Sequence, residues 1–443
     1  MSARRPNILF IVADDLGWAD LSVYGQTGYQ TPHLDKLAAQ GVRFTQAYSN
    51  SAVCSATRFA LMTGRYQYRL AGGLEEPIAG ASKQVGLPPE HPTLPSLLGE
   101  AGYQTALIGK WHLGKLPDFG PLKSGYQRFF GNLSGVIDYF THKPGVGEQV
   151  PRDLWEGEVP VERVGYYTQI LADEASAWVA QQTPEQPFFL SLHFTAPHWP
   201  WVGPEDEAVS RSIDNLFHYD GGNLATYAKM VQSLDGAVGQ VLAALERSGQ
   251  ADNTLVIFTS DNGGERFSKT WPFTGQKTEL LEGGLRVPTL LRWPARLRPQ
   301  VSEQVTVTMD WLPTLLEAAG VAPHPDYPSD GQSILPVLTG ARPPFPRTLY
   351  WRYKANAQRA LREGDWKYLK INDNEFLFDV AVDTLERANL RRHHPALFER
   401  LKADWERWNA DMLPITAEVY THGLSPEVQA DRYRPESTAP TGV

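Results

Sequence analysis

The chain has 443 residues, 42% of them hydrophobic and 21% charged, and a net charge of -9. A chain of this size buries a large core, and its acidic balance argues against a nucleic-acid-binding surface while leaving room for a local basic pocket. A single cysteine excludes an internal disulfide framework, so nothing in the composition demands an oxidising compartment.

Basic residues precede the apolar run Asn7 to Ala13, but the run is short, lacks a small-residue cleavage site and ends in Asp14-Asp15. It reads as a core strand rather than a leader, so a cytoplasmic location is expected; with no apolar stretch of ~20 residues elsewhere, no membrane span is expected either. Its continuous apolar character suits a parallel sheet covered on both faces. A helix follows, with Thr31 as N-cap, Pro32 in its first turn and Gly41 as its stop. Thr93 caps a helix that runs to Gly102, and Gln104 to Ile108 reads as a strand that empties into Gly109-Lys110-Trp111-His112.

A long helix is predicted between Gly165 and Gln182, then an apolar strand from Pro187 to Phe194 that ends in Thr195-Ala196-Pro197-His198. Asn223 to Arg247 has helical spacing, and the β-branched run Thr254 to Thr259 leads into Ser260-Asp261-Asn262. Beyond about Gly340 come a proline-rich stretch, strand-like runs at Leu349 to Tyr353, Trp366 to Ile371 and Phe376 to Phe378, and a helix near Pro395 to Met412. The fold class is therefore α/β: a large central mixed, mostly parallel sheet flanked by helices, with a small C-terminal antiparallel sheet plus helix. Residues 1–340 form the expected catalytic domain and 341–443 a smaller α+β subdomain whose tail, Pro435 to Val443, has a mobile composition. Four predicted strands end in polar clusters, and in open α/β sheets ligands collect at such ends.

Asp14-Asp15 and Asp261-Asn262 offer oxygen ligands suited to a hard divalent cation, although each pair alone reads equally well as a cap or turn. Lys110 and His112 would share a face if their segment were extended, and taken alone they read as a solvated lysine beside a core histidine. Cys54 by itself is a small buried hydrophobe. The string Cys54-Ser55-Ala56-Thr57-Arg58, followed by Thr63-Gly64-Arg65, changes that balance.

That string resembles the maturation signature of the formylglycine-dependent sulfatases of the alkaline phosphatase superfamily, with Ala56 where proline is commoner. The resemblance extends from Pro6 to about Leu390, through Gly109-Lys110-Trp111-His112, Ala196-Pro197-His198 and Gly275-Gln276-Lys277-Thr278. It implies an alkaline-phosphatase-like fold and conversion of Cys54, by a formylglycine-generating or equivalent enzyme, to an aldehyde whose hydrate is the nucleophile. It implies one cation, calcium first and magnesium second, held by Asp14, Asp15, Asp261, Asn262 and the modified Cys54. Lys110 and Lys277 then correspond to sulfate-binding lysines, His198 to the group that protonates the leaving oxygen, and His112 to the base that expels sulfate. Asp261 assists attack, and Arg58, one helical turn beyond Cys54, reaches the nucleophile or the sulfate. Glu282 and Arg286 read as a structural ion pair.

The expected activity is hydrolysis of an aryl or alkyl sulfate monoester, a small-molecule substrate, with phosphodiester or phosphonate monoester hydrolysis as the alternative. With the cation, Arg58, Lys110 and Lys277 should outweigh Asp14, Asp15 and Asp261, leaving a positive pocket for an anion. Trp18, Tyr66, Tyr68, Arg69, Tyr139, Trp199 and Trp201 are candidates to flank it. No feature of the sequence sets an oligomeric state.

Overall fold

The computed structural model describes residues 4–79, 85–424 and 429–430. The expected tail at 435–443 lies outside the described residues. The strand Asn7–Ala13 is buried along its whole length. Successive side chains of a strand face opposite sides, and here both sides are covered. Leu9 and Ile11 enter one core cluster with Leu171 and Leu234; Ile8, Phe10 and Val12 enter another with Phe59, Leu97 and Leu315. That is why the run is apolar without alternation. The helices Tyr167–Ala180 and Leu224–Arg247 supply the first cluster, and Cys54–Thr63, Leu94–Glu100 and Trp311–Ala319 the second.

Among the described residues the main sheet has ten strands. Asn7–Ala13 lies parallel between Phe188–His193 and Thr254–Ser260, and Gln104–Gly109 lies parallel on the far side of Phe188–His193. Thr289–Arg292 joins antiparallel, so the sheet is mixed and mostly parallel at its centre, as predicted. Register then positions the site. Ala13 pairs with Ser260, Val12 with His193, and His193 with Gly109, so four strands end level and their following residues emerge at one edge. Gly109 has φ 115°, and a Cβ there would fall 1.9 Å from the His193 carbonyl oxygen. Only glycine lets the chain turn away this close to its neighbour.

The C-terminal sheet pairs Thr348–Tyr353, Gln358–Glu363, Trp366–Ile371 and Asn374–Asp379 antiparallel in that order. Alternation again sorts its faces. Leu361, Tyr368 and Leu377 pack on Phe398, Leu401 and Trp405 of the helix Pro395–Ala410. Trp351, Ala360, Leu369 and Phe378 pack instead with Val53, Ala56 and Ala60, on the helix that begins at Cys54. The strand Gln358–Glu363 was not predicted: its sequence is polar, and its buried Arg362 is held by the Tyr48 hydroxyl and the Gln46 amide oxygen rather than by apolar contact. Thr93 caps its helix by accepting from Ser96 N. Thr31 makes no such bond, because its hydroxyl accepts from Ser22 N at 3.0 Å.

Candidate active site

Each strand end delivers its polar residues to the same place. Asp14 N donates to Ala196 O, Asp261 N to Ala13 O and Lys110 N to His193 O, so the loops continue the sheet register for one more residue. Beyond it Asp15 takes φ 62°, a left-handed conformation that aspartate tolerates better than most residues. Cys54 is the first residue of the helix Cys54–Thr63 and is 2% exposed. Arg58 projects from the next turn, and both its Nε and one terminal nitrogen donate to Asp261 Oδ2, at 3.1 and 2.9 Å.

The charges pair one to one. Lys110 Nζ donates to Asp14 Oδ2 and Lys277 Nζ to Asp15 Oδ2, at 2.5 and 2.7 Å, while Arg58 holds Asp261. The protein's own groups therefore balance in this cluster, and the positive surplus expected from the sequence rests entirely on a cation. Two oxygens stay outside the pairing. Asp14 Oδ1 and Asn262 Oδ1 are buried without a hydrogen-bond partner. Asn262 Nδ2 donates to Asp15 Oδ1 at 2.7 Å and to Gly263 O, which turns its oxygen inward. An unsatisfied buried acceptor costs about 1–3 kcal/mol, and a hard divalent ion offsets that cost. Asp14, Cys54 and Asp261 bring ligand atoms within 4.8 Å of one another, as do Asp14, Asp15 and His198. The donor set fits such an ion.

His112 departs from the expected extended geometry: its φ is 57°, so the face-sharing argument from Lys110 fails. Its Nε2 lies 3.0 Å from Ile78 O. A carbonyl only accepts, so Nε2 carries the proton and Nδ1, buried without a partner, keeps a free lone pair. By the same reasoning His198 donates from Nδ1 to Trp199 O at 2.7 Å, leaving Nε2 3.6 Å from Asp15 Oδ2. Burial and then the nearby lysines, Lys110 for His112 and Lys277 for His198, push both imidazoles well below the usual histidine range. Burial pushes the Cys54 thiol up against the pull of Lys110 and Lys277, so the encoded side chain stays a neutral thiol. Burial, followed by the Asp14 carboxylate, raises the Asp261 carboxyl to about 6.

A cavity of about 340 Å³ opens over this floor, with Cys54, His112, His198 and Lys277 in its lining. A groove of about 570 Å³ between the C-terminal sheet and its helix is larger, yet it holds none of these residues. The family profile described as Sulfatase matches residues 6–321. The chain belongs to the sulfatase family. A second profile, described as N-sulphoglucosamine sulphohydrolase, C-terminal, matches residues 275–407. Human N-acetylgalactosamine-6-sulfatase is 36% identical over 362 residues, covering 76% of this chain and 67% of the relative. Human arylsulfatase A is 32% identical over 437 residues, covering 91% and 82%. The crystal structure of Ps i-CgsB superposes with a TM-score of 0.85 at 31% identity, covering 95% of both chains. This sulfatase is accordingly a sulfuric ester hydrolase with the family's fold.

Of the aromatic candidates, only Trp199 lines the sulfatase cavity. Trp18, Tyr139 and Trp201 are core residues of the main sheet, and Tyr66 and Tyr68 belong to the core under the C-terminal sheet. Arg69 is taken up by Asp330, with bonds of 2.8 Å. The sequence pattern missed Phe217, Tyr420 and His422, which are among the residues that line the cavity with Trp199. They lie in irregular segments, where no periodicity marks them. It also missed His193, the last residue of its strand, whose Nδ1 lies 3.1 Å from an Arg58 nitrogen. Glu282 and Arg286 form the expected structural pair at 2.6 Å.

Proposed function

We propose that this sulfatase hydrolyses an aryl or alkyl sulfate monoester to a phenol or alcohol and inorganic sulfate, using a formylglycine made from Cys54 and one divalent cation, calcium before magnesium. The observation that carries the reading is the convergence of Cys54, His112, His198 and Lys277 on one cavity whose floor holds two buried, unpartnered oxygen ligands. The oxidised residue would supply a hydrated aldehyde in place of the thiol, and the cation, held by Asp14, Asp15, Asp261 and Asn262, would supply charge against the sulfate oxygens.

The chain's own groups account for the rest. Arg58 holds Asp261 by two bonds, with an Asp261 oxygen within 4.8 Å of Cys54 Sγ. Lys110 and Lys277, each already on a carboxylate, present their remaining N–H donors to the sulfate. His112, with Nε2–H fixed on Ile78 O, offers Nδ1 to accept a proton from a hydroxyl on residue 54. His198 faces the departing oxygen through Nε2; burial first and Lys277 second hold its imidazole below the usual range, and an anionic ester beside it would offset the second of these.

Mass measurement of the peptide across 51–58, in protein from the native host, tests the conversion: replacement of the thiol by an aldehyde or its hydrate supports it. Rates on nitrophenyl sulfate and on a phenylphosphonate ester, measured side by side, test the substrate class. A higher kcat/KM on the phosphonate would replace this reading with the alternative one.

A further inference from the structure

A short strap near the C-terminal end of the described chain lines the cavity through Tyr420 and His422. Glu76 N donates to Tyr420 O at 3.0 Å, His422 N donates to Glu76 O at 2.6 Å, and the Tyr353 hydroxyl donates to His422 O at 2.7 Å. Thr421 Oγ1 adds a bond to the Glu76 carboxylate at 3.0 Å. The strap is thus fastened to the same 76–78 segment whose Ile78 carbonyl orients His112.

From the catalytic floor a continuous row of flat rings runs outward to this strap. The His198 and Trp199 rings lie 4.2 Å apart, Trp199 and Phe217 4.5 Å, and Phe217 and His422 5.9 Å with planes only 19° apart. Tyr420, also in the cavity lining, remains 42% exposed. Trp199, Phe217 and His422 are each half-buried and line the cavity, with Tyr219 stacked on Phe217 at 5.4 Å as a backing ring; half-buried aromatic side chains grouped at a cavity mouth suit a ligand. The row begins at the histidine that faces the leaving oxygen.

We propose that Trp199, Phe217 and His422 form a stacking wall that selects sulfate esters whose carrier presents a flat ring face, either an arene or the C–H face of a pyranose. This rests on the sulfate-ester reading above and adds the class of leaving group. The cavity, at about 340 Å³, is near the small end of the range for ligand sites, about 300–1,000 Å³, which suits the sulfate with a ring beside it. Each aromatic contact strengthens ring binding several-fold, and loss of one ring should weaken it roughly tenfold at most.

The test compares kcat/KM on nitrophenyl sulfate, N-acetylgalactosamine 6-sulfate and ethyl sulfate, in the wild type and in Phe217→Ala, Phe217→Leu and His422→Ala. The expected result is a fall of roughly five- to tenfold in the ratio of ring ester to ethyl sulfate in all three variants, with Phe217→Leu showing that apolar bulk without a π face does not suffice. The ring ester with the higher wild-type value identifies the carrier. An equal loss on all esters, or no change in the ratio, would overturn the wall. Saturation-transfer NMR with sulfate-free phenol and N-acetylgalactosamine gives a readout independent of turnover. If the wild type cleaved no sulfate ester, the functional reading would fail, whereas ring signals lost in Phe217→Ala would still support the wall and their absence in the wild type would reject it.

Discussion

Two buried clusters in this protein are built from the same kinds of group. On the cavity floor, Asp14, Asp15 and Asp261 face Lys110, Lys277 and Arg58. Where the C-terminal sheet meets the main body, Glu282 faces Arg286 and Lys367, with Glu386 beside them. The second cluster spends its Glu282 oxygens: Oε2 accepts from the Tyr48 hydroxyl and Arg286 Nε at 2.6 Å, and Oε1 accepts from Lys367 Nζ at 2.9 Å, while Glu386 Oε1, which makes no hydrogen bond, lies 2.8 Å from Lys367 Nζ and lines no cavity described above. Burial would raise the Glu282 carboxyl, yet Lys367 and Arg286 hold it well below the usual carboxylate range. The floor cluster leaves Asp14 Oδ1 and Asn262 Oδ1 without donors. Ion pairing alone therefore does not mark a site; unspent ligand atoms beside a cavity do.

The difference can be broken from either side. The largest effect is expected at the floor: Cys54→Ala should lower kcat on nitrophenyl sulfate by about 10³-fold or more, while its melting temperature stays within a few degrees of the wild type. Near wild-type turnover would remove residue 54 from the chemistry. In the closed cluster, Glu282→Gln leaves Arg286 buried against a neutral amide and Lys367 with Glu386 as its one remaining carboxylate, and should cost about 3–5 kcal/mol in denaturant unfolding. The folded variant should keep kcat within about twofold, since Glu282 lies outside the site.

Cation dependence separates the clusters further. Calcium at a hundred times its dissociation constant should stabilise the wild type and Glu282→Gln alike by about 2.7 kcal/mol, and a chelator should abolish both that shift and the activity. Asn262→Ala should lose most of the shift, as read by thermal unfolding with and without the ion. Equal shifts in wild type and Asn262→Ala would exclude that oxygen as a ligand. The smallest effect belongs to a carboxylate in neither cluster. Burial pushes Glu76 up to about 7 despite bonds from Lys354 N and Thr421 Oγ1. Between its ordinary 4.5 and that value the folded chain holds a proton that the unfolded chain has released. Its contribution is therefore full below pH 4.5 and lost as pH rises through 7. From pH 5 to pH 8 the wild type should lose on the order of 2–3 kcal/mol relative to Glu76→Gln.

The main sheet was legible because its strands are buried on both faces, so Ile8 to Ala13 and Leu255 to Phe258 carry no polar interruption. The polar clusters after them stood out by contrast, and level strand ends brought them together. Three kinds of feature escaped. The strand Gln358–Glu363 reads as polar because buried Arg362 is satisfied by hydrogen bonds. The cavity wall draws single residues from irregular segments far apart in sequence. The turn at His112 depends on backbone contacts with Leu133 and Asn132 that no local pattern records.

The helix that begins at Cys54 lies beneath the C-terminal sheet, with Trp351, Ala360 and Leu369 packed among Val53, Ala56 and Ala60. At 2% exposure, residue 54 has almost no surface to offer a second protein in the folded chain. The strands concerned are synthesised long after the helix. Any enzyme that alters the thiol would thus have to act before the fold closes around residue 54.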